Sequence, residues 1–172
     1  MTPQQFEEYC FYRLYSIDLD TVRHSLRMLK RYRRQDVRHS ILRDIVVGYA
    51  RPFSGNKGKL FKKYHLSMKS VVPSDLRSLH SEMLDVRMRT LAHTDYSFVT
   101  PGSQDGQRAR GRFSHCRSAC MTLENLDKRL TEIERLVKAV ESSVNAKVRT
   151  IEREVFAYEP QGEYGKEPAN GV

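Results

Sequence analysis

What is scarce in this chain limits its class. No apolar run approaches the roughly 20 residues that a bilayer requires; the longest, such as Ile45-Val46-Val47, are a few residues. No membrane span and no membrane partner are therefore expected. Glu7 and Glu8 stand where a secretory signal is basic and then apolar, so a cytoplasmic location is expected. Cysteine is also scarce. Cys10, Cys116 and Cys120 are an odd set, expected as reduced thiols rather than a disulfide framework. His115 beside Cys116 and Cys120 lacks the second Cys/His pair of a structural zinc site, and no carboxylate and histidine cluster has ligand spacing, so neither metal nor cofactor is expected. Internal repeats are not evident.

What is present suits a single, mainly helical domain. A length of 172 residues, 39% hydrophobic and 30% charged, is enough to close a core without crosslinks. The net charge of +9 is unevenly placed. Between Thr21 and Lys63 thirteen Lys/Arg face only Asp36 and Asp44, a local balance of +11, so the rest of the chain sums to −2. Such a segment concentrates polyanions by long-range attraction, which makes RNA, DNA or a nucleotide the natural partner class. The candidate contacts are Arg27, Lys30, Arg31, Arg33, Arg34 and Arg51. A solvated helix face is the competing reading.

Periodicity predicts four main helices in an antiparallel all-α bundle. Thr2-Pro3 predicts the start of a first helix through about Tyr15, with Phe6, Tyr9, Cys10, Phe11 and Leu14 as its apolar residues. A second helix is expected from Asp18 or Asp20 to a closing Gly48, with a break around Arg34-Gln35. Ala50-Arg51-Pro52-Phe53-Ser54-Gly55-Asn56-Lys57-Gly58 reads as a loop. Pro73-Ser74 opens a third helix to about Leu91, with Leu76, Leu79, Met83, Val86 and Thr90 inward. The Gly-, Ser- and Arg-containing segment from Thr94 to Ser114 reads as a loop with extended pieces at Tyr96–Val99 and Gly111–Phe113. A long C-terminal helix is expected from about Thr122 to Val155. Residues 1–156 then form the domain, and 157–172 a disordered tail.

The segment that carries chemistry is His80-Ser-Glu-Met-Leu-Asp-Val-Arg87-Met-Arg-Thr-Leu-Ala-His93-Thr-Asp95. Its Arg-x5-His spacing and Ala-His-x-Asp ending resemble the motif of HEPN domains. Ala50-Arg51-Pro52-Phe53-Ser54 also resembles a segment of an uncharacterised bacterial subgroup of HEPN-like proteins, and the resemblance spans roughly residues 1–156. It implies a helical bundle, a homodimer with two motifs facing each other, and either metal-independent endoribonuclease activity in phage defence or toxin–antitoxin function, or a non-catalytic nucleic-acid-, nucleotide- or protein-binding module. An antitoxin or other protein partner is implied as well.

The residue types suit RNA cleavage. Attack of a ribose 2′-hydroxyl on the adjacent phosphate needs a group titrating near neutrality and a cationic fork for the developing charge. His93 is the candidate acid or base and Arg87 the phosphate clamp, while Asp95 orients His93 or caps the turn. In a continuous helix a residue six positions on is rotated by about 240°, so Arg87 and His93 share a site only if the helix ends or bends near Ala92. Arg89, four residues before His93, competes for the arginine role. Met88 departs from the small polar residue usual after the motif arginine in catalytic members, and a thioether is a poor hydrogen-bonding partner. His80 is expected to be structural. Arg108, Arg110 and Arg112 are either phosphate contacts or part of a solvated loop.

Overall fold

The computed structural model describes residues 1–88 and 123–156; Arg89 to Thr122 and Ala157 to Val172 lie outside the described residues. The described chain is all-α and contains no β-strand, only an isolated bridge between Asn56 and Tyr64. Its helices are α1 (Pro3–Leu29), α2 (Gln35–Ala50), the short α3 (Met68–Val71), α4 (Arg77–Asp85) and α5 (Leu130–Phe156).

Helix α1 starts as the sequence predicts. Thr2 Oγ1 accepts from the Gln5 amide at 3.2 Å, Gln5 Oε1 accepts from the Thr2 amide at 2.8 Å, and Pro3 fills the first helical position. This reciprocal cap satisfies two amides that a helix start otherwise orphans. The helix does not end at Tyr15. It runs on to Leu29, 27 residues in all, burying Phe11, Tyr15, Leu19, Val22, Leu26 and Leu29 along one stripe. Ser16 and Asp18, which locally favour a turn, are held instead by distant partners: Ser16 Oγ donates to Asn145 Oδ1 at 2.8 Å, and Asp18 pairs with Arg51 at 2.9 Å.

The expected break falls at Lys30 to Arg34. Arg38 closes it, donating from Nη1 to the carbonyls of Leu29 (2.9 Å) and Tyr32 (2.8 Å) while its Nε and Nη2 grip the Asp127 carboxylate. Helix α2 then runs past Gly48 to Ala50. Gly48 is a contact glycine rather than a terminator, since a Cβ there would lie 2.8 Å from Val22 Cγ2. Its bare backbone lets α1 and α2 pack closely.

A 3-10 turn over Arg51–Phe53 leads into a loop folded back on α1. The Glu7 carboxylate accepts the backbone amides of Lys59, Leu60 (2.7 Å) and Phe61 (3.2 Å), and Gly58 has no Cβ to strike it. Tyr64 stacks on Phe11 with ring centroids 4.8 Å apart, and Phe61 closes the aromatic cluster. The third predicted helix begins as a 3-10 turn at Ser74–Leu76 and becomes α4, whose end widens into a π-type turn at 86–88. Leu76, Leu79, Met83 and Val86 are buried as expected, and Thr90 lies outside the described residues.

The C-terminal helix is interrupted near its start. Residues 123–127 form a helical turn, the chain turns at Lys128 and Arg129, and α5 follows. Arg129 bridges Glu82 (2.6 Å) and Glu132 (2.8 Å) at that point. Helix α5 packs antiparallel to α1, and side-chain pairs record the register: Tyr9 with Glu152, Ser16 with Asn145, Arg23 with Glu141 and Lys30 with Glu134. Ile133, Leu136, Val140 and Val144 fill the core between them.

Candidate functional site

Arg87 stands in the π-type turn that ends the described part of α4. It is half-buried, its Nη1 lies 2.9 Å from Met88 Sδ, and no carboxylate pairs with it among the described residues. A thioether sulfur is a weak acceptor, so the guanidinium keeps most of its capacity to donate. Arg89, His93 and Asp95 lie outside the described residues, as do His115, Cys116, Cys120 and the arginines at 108, 110 and 112.

The helix carrying Arg87 is anchored two turns earlier. His80 is 2% exposed, its Nδ1 lies 2.8 Å from the Tyr49 hydroxyl, and the Phe53 ring meets its imidazole edge-on at 4.5 Å. Burial disfavours both charged forms, lowering the His80 pKa and raising that of Tyr49. His80 is therefore a neutral, packed imidazole, the structural residue expected from the sequence. Beside it opens a cleft of about 350 Å³ bordered by Phe53, His65, Lys69, His80 and Leu84.

The candidate nucleic-acid contacts do not form one face. Arg27, Lys30, Arg31, Arg33 and Arg34 gather around the end of α1, whereas Arg51 sits at the far end of α2, about 26 Å away at 1.5 Å per residue. Lys30 is paired with Glu134 (2.6 Å), Arg34 with Asp36 (2.6 Å) and Arg51 with Asp18 (2.9 Å). The Arg34 hydrogen bond also holds the Asp36 carboxyl below its ordinary range. Arg27, Arg31 and Arg33 are exposed, with no ion pair among the described residues.

Two surface features were not read from the sequence. One is a groove of about 480 Å³ between α1 and α5, bordered by Arg23, Arg27, Lys138 and Arg149; its trace in the sequence is the polar spacing Lys138, Ser142, Asn145, Arg149. The other is apolar. Phe6 (56% exposed), Leu14 (57%) and Ile17 (59%) lie on the outer side of α1, the first two beside Leu60 (57%) of the loop. Phe6 and Leu14 follow a helical period, but that period marks this outer stripe, while Phe11 and Tyr15 enter the core.

Among the described residues no group of three or more His, Cys, Asp and Glu side chains could hold a metal, and no helix is long and apolar enough to cross a membrane. Cys10 is a half-buried free thiol. Comparison with protein-family models, with curated proteins and with solved structures finds no match.

Proposed function

We propose that the chain is a HEPN-like protein that binds RNA and cleaves it without a metal ion, acting as a cytoplasmic homodimer in defence or as the toxin of a toxin–antitoxin pair. One observation carries this reading: the two segments that resemble the family, far apart in sequence, pack on one another. Phe53 of the Ala-Arg-Pro-Phe-Ser segment meets His80 edge-on, on the helix that presents Arg87. A guanidinium at the end of that helix whose contact is a thioether, with no carboxylate paired to it among the described residues, supports a phosphate-facing role.

In this mechanism His93 removes the proton of a ribose 2′-hydroxyl as its oxygen attacks the neighbouring phosphorus, and Arg87 meets the charge gathering on the phosphoryl oxygens. The bond from phosphorus to the 5′-oxygen breaks, and that oxygen takes up a proton. His93→Ala and Arg87→Ala, assayed on tRNA or mRNA in EDTA-containing buffer, should each slow cleavage by about 10²–10⁴-fold. Unchanged cleavage by His93→Ala removes that histidine from the mechanism.

A second reading, a protein-docking module, is favoured by the apolar side of α1. Phe6, Leu14 and Leu60 border a groove of about 570 Å³ with Lys57 and Lys59 on its rim, while Glu7, its one carboxylate, is occupied by backbone amides. That combination fits an amphipathic partner segment with acidic flanks; each half-exposed side chain covered contributes about 1 kcal/mol. A synthetic leucine-rich peptide with glutamate flanks should bind, and Leu14→Glu/Leu60→Glu should abolish the binding. Equal binding of a lysine-flanked peptide, stronger binding to anionic vesicles, or self-association through this face overturns the second reading.

A further inference from the structure

The groove between α1 and α5 joins cations that the sequence keeps more than a hundred residues apart. Arg23 and Arg27 come from α1, Lys138 and Arg149 from α5. Its carboxylates are already paired, Glu134 with Lys30 at 2.6 Å and Glu141 with Arg23 at 3.6 Å. That leaves Arg27, Lys138 and Arg149 exposed and without an ion pair among the described residues. In the antiparallel register set by Arg23 with Glu141 and Lys30 with Glu134, Arg27 lies level with about Val137, so these three cations cover about 18 Å of α5 at 1.5 Å per residue.

Neutral donors sit between the charges. Asn145 Oδ1 accepts from Ser16, which leaves its amide nitrogen to donate, and Ser142 follows one turn from Lys138 on the same side of α5. Leu26 and Val137 add apolar surface. Packed helices have axes about 8–10 Å apart, so the furrow between them admits a single extended strand and excludes a duplex. Alternating cations and hydrogen-bond donors over an apolar floor suit a sugar-phosphate backbone better than an isolated anion.

We propose that this groove binds the phosphodiester backbone of single-stranded RNA and delivers the strand to the protein, an inference that rests on the RNA-binding reading above but concerns a surface separate from Arg87. It makes the α1–α5 furrow, rather than the Arg31-Tyr32-Arg33-Arg34 corner, the principal phosphate contact.

The test is anisotropy of a labelled short oligouridylate, which has little structure of its own, measured against salt from about 50 to 200 mM. Arg27→Gln/Lys138→Gln/Arg149→Gln is compared with Lys59→Gln/Lys62→Gln/Lys63→Gln, a loop variant that removes the same charge elsewhere; circular dichroism checks that both fold. The groove variant should bind roughly tenfold or more weakly, and the slope of log K against log salt should flatten by about 2, given about 0.7 per phosphate contact for single strands. The loop variant should change both much less. Equal losses in the two variants overturn the groove, because the field of the whole protein then accounts for binding. Undiminished binding in the groove variant overturns it as well, and leaves RNA recognition standing. If the wild type does not bind, both the groove and the RNA reading fall, whereas binding without cleavage removes only the catalytic reading.

Discussion

Tyr49→Phe isolates the contact that joins the Arg-Pro-Phe segment to the Arg87 helix. The substitution keeps the ring beside Phe53, with centroids 5.3 Å apart, and removes only the oxygen that lies 2.8 Å from His80 Nδ1. Both residues are buried, so the imidazole nitrogen left behind loses its hydrogen-bond partner at a site with almost no exposure, at a cost of about 1–3 kcal/mol. For a domain of this size that lowers the thermal midpoint by roughly 3–10 °C. Replacing both partners, as Tyr49→Phe/His80→Leu, removes the orphan along with the bond and should recover most of the loss.

The same pair predicts a pH dependence. Burial holds the His80 pKa below its ordinary value, while in the unfolded chain the imidazole titrates near 6.5. As pH falls below about 6.5 the unfolded state takes up the proton first, so this contribution is complete above that pH and shrinks until the lowered native value is reached. Urea unfolding followed by circular dichroism at about pH 7.5 and 5.5 should show a decline that the double variant lacks. Stability of Tyr49→Phe within about 0.5 kcal/mol of wild type, or an identical pH decline in the double variant, refutes the argument.

Other positions give distinct readouts. Glu7→Gln exchanges one of two acceptor oxygens for a donor facing the amides of Lys59, Leu60 and Phe61; it should cost about 1–2 kcal/mol and speed hydrogen exchange at those amides, and unaltered exchange contradicts the role. Arg38→Ala frees the Leu29 and Tyr32 carbonyls and leaves Asp127 unpaired, the Arg38 side chain being 16% exposed and that of Asp127 17%. A loss of about 2–4 kcal/mol is expected in urea unfolding, with less than half recovered by Arg38→Lys, which lacks the planar fork. Glu82→Gln weakens the tie from α4 to Arg129 and should lower RNA cleavage more than RNA affinity; a parallel fall in both argues that α4 also carries binding.

The helices were legible where local rules decide them. Thr2-Pro3 marks the start of α1 because cap and amide are three residues apart, and the inward residues Leu76, Leu79, Met83 and Val86 follow a period that only one buried side explains. Where tertiary contacts compete with local preference, local rules mislead. Ser16 and Asp18 look like a helix end until Asn145 and Arg51 are brought beside them. Phe6, Phe11 and Leu14 all keep helical spacing with some neighbour, so periodicity places apolar residues on both sides of α1 without saying which side meets the core. Tertiary packing answers by burying Phe11 and leaving Phe6 and Leu14 outside.

Charge shows the same division between what is summed and what is placed. The excess of +11 between Thr21 and Lys63 measures the field at a distance, but its cations divide into structural and accessible ones according to partners that lie largely outside the segment. Arg38 is spent on Asp127 and two carbonyls, Lys30 on Glu134, and Arg23 is shared between Asp20 and Glu141. Helix α5 thus neutralises part of the basic segment and, through Lys138 and Arg149, extends what remains along a second helix. On the proposed reading a polyanion would meet charge from both ends of the sequence at once, and the furrow where they meet, not the densest run of arginines, is where its backbone would find fixed donors on either side.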